Sequence, residues 1–124
     1  MPKVIEQDFI RTGHYLVREV GGYYAREEGT IASGAGIVQP GTVLGRVTAT
    51  GKYVPVNPAG ADGSESASAI LFHGVDATDA DVPCTVTARS AEVQAAVLIF
   101  PDGTTDPQKT AAIAQLGALG IVAR

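Results

Sequence analysis

The chain is poor in the residues that usually announce chemistry. Its 124 residues include one cysteine, Cys84, two histidines, one methionine and no tryptophan. A lone thiol excludes an intrachain disulfide and any zinc site built on several thiolates, and it suits folding in a reducing cytosol. Charge is sparse too. Nine Lys and Arg stand against 13 Asp and Glu, for a formal net charge of −4. The nine basic residues are scattered, so the clustered positive footprint that holds nucleic acid is missing. No stretch reaches the roughly 18–20 apolar residues needed to cross a bilayer. The opening "MPKVIEQDF" meets charged and polar residues before any apolar run, unlike a secretory signal. These absences point to a soluble protein with neither nucleic acid nor membrane as partner.

What is present is small, apolar and turn-forming. Hydrophobic residues make up 45% of the chain, with 15 Gly and seven Pro. That length and composition fit one domain with a modest core, built from short strands and tight turns. The expected fold class is therefore mainly β, or α+β.

The first 30 residues differ from the remainder. "MPKVIEQDFIRTGHYLVREVGGYYAREEGTI" holds nine of the 22 charged residues and three of the four tyrosines, with breaks at Gly13 and Gly21-Gly22. Without sustained helical periodicity it reads as an extended arm or lead-in. Phe9, Tyr15, Tyr23 and Tyr24 are then aromatic groups available either to pack on the domain or to dock on a partner.

From Ile31 the pattern becomes compact. Pro40-Gly41 predicts a type II turn, because Pro sets the first φ and Gly accepts the positive second one. In residues 43–48, Val43, Gly45 and Val47 alternate with Leu44, Arg46 and Thr48, as in a half-buried strand. Tyr53-Val54 reads as the returning strand, short or at an edge because Pro55 lacks an amide donor. The loop "NPAGADG", residues 57–63, precedes an apolar strand at residues 69–72. Asp62-Gly63 offers the hydrogen bonding and permissive φ that a reversal requires. Another strand covers residues 84–89, and "AEVQAAVLIF" continues as a short strand and an apolar run. One helix is expected near the C-terminus. Thr105 or Asp106 caps it, Pro107 opens it, Ala112, Ile113 and Leu116 share a face, and Gly117 or Gly120 ends it. Ile121-Val122 forms a last short strand.

A search for catalytic or metal-binding groups finds no specific pattern. His14 and His73 are far apart and form no H-x₃-H pair. Asp76, Asp79 and Asp81 could attract a cation, but they lack the spacing, glycine and closing glutamate of an EF-hand loop. "SGAGIVQPG" misses the third glycine of a phosphate-cradling motif, because Gln39 occupies that place. Ser64, Ser66, Ser68 and Ser90 sit in no nucleophile elbow. Cys84 on its strand suits a small core filler. Neither a catalytic role, a metal nor a cofactor is expected, and function is expected to reside in surfaces.

The segment "PGTVLGRVTATGKYVPVNPAGADGSESASAILFHGVDAT" resembles the central signature of the lambda D-like head decoration proteins of tailed phages. The corresponding pieces are the G-x-V-L-G strand at residues 41–45, G-K-Y-V-P at 51–55, Asp62-Gly63, and the strand at 67–71. "ARSAEVQAAVLIFPDG" and "PQKTAAIAQLGALGIVAR" are similar to the family's later strand, apolar segment and closing helix, with Phe100 where members often carry Trp. The resemblance covers roughly residues 20–124. It implies a β-clip-like domain over residues 21–124, preceded by an N-terminal arm over residues 1–20. It also implies a homotrimer bound to the major capsid protein at three-fold positions on the outside of the virion head, with no catalysis and no cofactor. Arm residues Val4, Ile5, Phe9, Ile10, Tyr15 and Leu16 are the expected capsid contacts. The other functions to be weighed are a trimeric small-molecule or glycan-binding module and a small hydrolase acting through His73.

Overall fold

The computed structural model describes residues 12–19 and 25–124. They form ten strands and one α-helix: β1 (Leu16–Glu19), β2 (Arg26–Ile31), β3 (Gly36–Val38), β4 (Val43–Arg46), β5 (Tyr53–Pro55), β6 (Ala67–Leu71), β7 (Val75–Ala77), β8 (Val82–Thr87), β9 (Ala91–Val93), α1 (Asp106–Ala118) and β10 (Ile121–Ala123). The domain is mainly β with a single C-terminal α-helix, as the composition predicts.

Five strands close into a barrel in the order β2-β5-β4-β6-β8, with β2 and β8 completing the circle. The β2–β8 ladder runs antiparallel from Arg26↔Thr87 to Ile31↔Val82. A three-stranded sheet, β1-β9-β10, and the pair β3-β7 stand outside the barrel.

The barrel interior holds Ile31, Leu44, Tyr53, Ala69, Leu71, Cys84 and Val86. A second cluster joins Val43, Val56 and Ile70 of the barrel side to Tyr15, Val93, Leu98, Ala112, Leu116 and Ile121 of the outer layer. Strands β4 and β6 therefore serve both cores, since successive side chains point to opposite faces. Leu44 and Leu71 enter the barrel, while Val43 and Ile70 lie beneath the helix and open sheet. That double burial explains why "AIL" at residues 69–71 is a continuous apolar run rather than an alternation.

The strand expected at residues 84–89 lies at Val82–Thr87, the one expected at 43–48 ends at Arg46, and three further expectations change. Residues 26–31 are a full barrel strand rather than lead-in. Their charges conceal it, because Arg26, Glu27 and Glu28 sit at the outer surface and mouth of the barrel while Ile31 is buried. Second, β5 is short as expected but lies inside the sheet, paired with both β4 and β2. The parallel link uses the Tyr53 carbonyl, which accepts from Ala32 N at 3.0 Å, so Pro55 needs no amide there. Third, the strand at residues 69–72 begins earlier and ends at Leu71.

The turn and helix signals hold. Gly41 has φ 90°, and Thr42 N donates to Gln39 O at 3.2 Å, closing the type II turn. Thr105 caps α1 in a reciprocal box with Gln108: the Thr105 hydroxyl accepts from Gln108 N at 3.3 Å, and Gln108 Oε1 accepts from Thr105 N at 2.9 Å. Ala112 and Leu116 are buried, Ile113 is half-buried, and Gly120, at φ 84°, follows the C-cap residue Leu119.

Candidate functional site

Residues 57–66 could hold a ligand only if the loop stood open, and it does not. Asp62 Oδ1 accepts from Ser64 N at 3.1 Å and from the Ser64 hydroxyl at 2.5 Å. These bonds hold the Asp62 carboxyl below the usual carboxylate range, the side-chain bond being the larger cause. Asp62 O accepts from Thr48 N and Ser64 O from Asn57 N, each at 2.8 Å, tying the loop to its neighbours. Ser64 is buried and rests directly over Gly45 of β4, where any Cβ would collide with the Ser64 backbone. The loop is a packed reversal into β6, as the Asp-Gly pair suggests.

Residues 12–19 are fastened to the domain at several points. Gly13 N donates to Phe72 O, and Gln94 N donates to Tyr15 O, both at 2.8 Å. Strand β1 pairs antiparallel with β9, with a bulge between Leu16 and Arg18. Glu19 takes a two-point hydrogen bond from Arg26, at 2.6 and 3.3 Å, and the Arg26 guanidinium lies 4.1 Å from the centre of the Phe72 ring. At the centre of this root, Tyr15 is fully buried, and its hydroxyl meets Thr87 Oγ1 at 2.5 Å. Burial drives the phenol's pKa well above its ordinary value.

Tyr15 was expected at a partner contact; the structure makes it a core residue instead. Thr87 points out of the barrel with no solvent beside it, and Tyr15 both covers and satisfies that hydroxyl. Leu16 is half-buried against the same cluster. Sequence reasoning missed Thr87, because one threonine in a β-branched strand carries no mark of a buried partner. Val4, Ile5, Phe9 and Ile10 lie outside the described residues, as do Tyr23 and Tyr24.

The candidate catalytic and metal groups are occupied elsewhere. Asp76 Oδ1 accepts from Thr78 N at 3.1 Å and from the Thr78 hydroxyl at 2.5 Å, which lowers its pKa. Asp81 binds Lys52 Nζ at 2.5 Å and Ser33 N at 2.8 Å, with the Lys52 bond the main cause of its lowered pKa. Among the described residues no group of three His, Cys, Asp or Glu converges on a metal-sized space. His73 Nε2 accepts from Thr85 N at 3.3 Å, a backbone tie at the end of β6. His14 lies edge-on to Tyr15. Cys84 is buried in the barrel, and that burial pushes its thiol pKa up to about 11.

Surface remains. The open sheet exposes Val122, 42% exposed and paired with Glu92, and Val17, 50% exposed at the β1 bulge beside Arg18, the residue that pairs with Glu92. Leu119, at the C-terminal end of α1, is also exposed, and Ile37 on β3 is 76% exposed. No described helix is long and apolar enough to cross a membrane.

The family model of bacteriophage lambda head decoration protein D matches residues 5–121. The chain belongs to that family. Head decoration proteins are structural proteins of the phage capsid, so this chain is a capsid decoration protein of a bacteriophage virion. No curated protein sequence matches the chain significantly. The match extends upstream of the folded root to residue 5, taking in Ile5, Phe9 and Ile10.

Proposed function

We propose that this decoration protein forms a homotrimer on the outer surface of the expanded head, at three-fold positions of the major capsid protein lattice, and stiffens the shell against packaged DNA without catalysing any reaction. The observation that carries this reading is the fixed root of the N-terminal segment. Residues 12–19 are locked to barrel and open sheet, and the 11 residues before them include Val4, Ile5, Phe9 and Ile10. Fully extended, 11 residues span about 36 Å. Their β-forming side chains suit addition of a strand to a sheet edge on the capsid, where main-chain bonds give affinity and alternate side chains fill pockets. Tyr15 and Leu16 serve this contact indirectly, by setting where the segment leaves the domain.

Exposed Ile37 on the edge strand β3 is the apolar group we assign to contact between copies. Three identical copies around one axis match a three-fold lattice point, and rigid linkage of three weak contacts raises the effective affinity. Binding restricted to the expanded shell stabilises that state by about 2.7 kcal/mol per site at a hundredfold excess over Kd.

The test mixes purified protein with undecorated expanded heads and images the particles. Deleting residues 1–11 keeps every described residue of the root, so the shortened protein should still fold, as circular dichroism checks, yet lose the shell. Normal decoration by the shortened protein would refute the arm assignment. On expanded heads Ile37→Asp should fail to fill the three-fold sites with trimers, and unchanged trimer density there would remove Ile37 from the interface.

A further inference from the structure

The chain contains two Asp-Gly pairs, Asp62-Gly63 and Asp102-Gly103, and the fold treats them in opposite ways. We propose that Asp102-Gly103 is a site of spontaneous backbone isomerisation, converting Asp102 to isoaspartate in the folded protein, while Asp62-Gly63 is protected.

The chemistry requires no enzyme. The Gly103 main-chain nitrogen attacks Cγ of the protonated Asp102 carboxyl. A new N–Cγ bond forms, the nitrogen loses its proton, the carboxyl loses hydroxide, and the two leave as water. Water then adds back to the five-membered imide. Opening at Cγ restores aspartate. Opening at the former main-chain carbonyl leaves glycine joined through Cγ, with a free α-carboxylate and no net change in mass or oxidation state. Glycine favours ring closure because no Cβ obstructs its nitrogen, and the reaction needs freedom for the main chain to swing that nitrogen towards Cγ.

At Asp62-Gly63 each requirement is blocked. The carboxylate is held ionised and in place by Ser64, Gly63 N donates to Glu65 Oε2 at 2.8 Å, and Asp62 O is bound by Thr48 N. Gly63 is enclosed by Thr48 and the Arg46 carbonyl, so the main chain cannot rotate without breaking the loop. The lowered pKa of Asp62 further depletes the protonated, reactive form.

At Asp102-Gly103 no described residue holds the carboxyl or the Gly103 nitrogen by a hydrogen bond. Both residues are exposed, and a Cβ placed on Gly103 would meet nothing within 4 Å. Among the described residues Thr104 alone closes the turn around the pair, its N and hydroxyl reaching Pro101 O at 3.2 and 2.6 Å. Isomerisation would insert one extra carbon into this turn, immediately before the Thr105 cap of α1.

The experiment incubates the purified full chain at neutral pH and 37 °C for several weeks, then quantifies isoaspartate in both peptides by fragmentation mass spectrometry. A parallel sample is held in denaturant. The native protein should accumulate isoaspartate at residue 102 at least tenfold faster than at residue 62, and denaturation should bring the two rates within about twofold. Asp102→Glu should abolish the native signal, and Ser64→Ala should raise it at residue 62. Equal native rates at the two sites, or a ratio unchanged by denaturant, would overturn the proposal.

Discussion

The barrel and the open sheet of this decoration protein solve the same problem with unequal means. The barrel strands β2, β5, β4, β6 and β8 close on themselves, with β2 and β5 joined at the single pair Ile31↔Tyr53, so the ring leaves less unpaired edge than an open sheet does. The sheet β1-β9-β10 has three strands of three or four residues, and among the described residues nothing pairs with its two outer edges. So small a sheet has no stability of its own; it persists by packing on the outer face of β4 and β6 and beneath α1. The lesson concerns placement of work. The self-sufficient part carries the fold, while the dependent part, with its outer edges and exposed Val17 and Val122, is where the N-terminal segment emerges.

That contrast can be broken most severely at Tyr15, the root's fully buried side chain in the shared core. Tyr15→Ala should cost about 3–5 kcal/mol, because it opens a cavity and leaves the Thr87 hydroxyl without a partner. Denaturant titration measures this, and a loss below 1 kcal/mol would show that the open layer contributes little to the domain. Tyr15→Phe is the sharper instrument. Packing is retained, so the loss should be about 1–3 kcal/mol, from the stranded hydroxyl alone. Hydrogen exchange should then quicken in residues 12–19 before it does in β2 and β8, since local openings follow the weaker unit. Uniform acceleration throughout would mean that the two layers unfold as one.

The smallest effect belongs to the barrel interior. The Cys84 thiol is shielded and keeps its proton to about pH 11, against 9.0 ordinarily. The unfolded chain releases that proton first, so across pH 9 to 11 it binds fewer protons than the native state and stability falls as pH rises. Cys84→Ala should flatten that decline, as followed by alkaline denaturation monitored by circular dichroism. In the parent protein at pH 8 the thiol should remain unreactive to a disulfide reagent until denaturant is added. Ready labelling of native protein would show that the barrel opens.

Much of the architecture was legible because it depends on local rules. Pro40-Gly41, Asp62-Gly63 and the Thr105 cap each have a stereochemical cause contained within a few residues, and all three behave as their sequences imply. The strand β2 was less legible. Its charges face solvent while its partners β8 and β5 lie more than 20 residues away in sequence, so nothing local announces a barrel stave. Tyr15 was ambiguous for the same reason. A tyrosine beside a run of polar residues fits a docking surface or a core equally well until the chain supplies a partner for its hydroxyl.

The amino-acid order alone determined a β-rich chain with one capped helix and tight turns at defined places, because these follow from φ preferences, alternation and composition, while its family shows in the order of its motifs. Only the folded arrangement decided that β2 closes a barrel, that β4 and β6 are shared between two cores, and that Tyr15 is buried against Thr87. Those outcomes depend on which distant segments meet, and the free energy of such meetings belongs to pairs of surfaces rather than to any residue read in isolation.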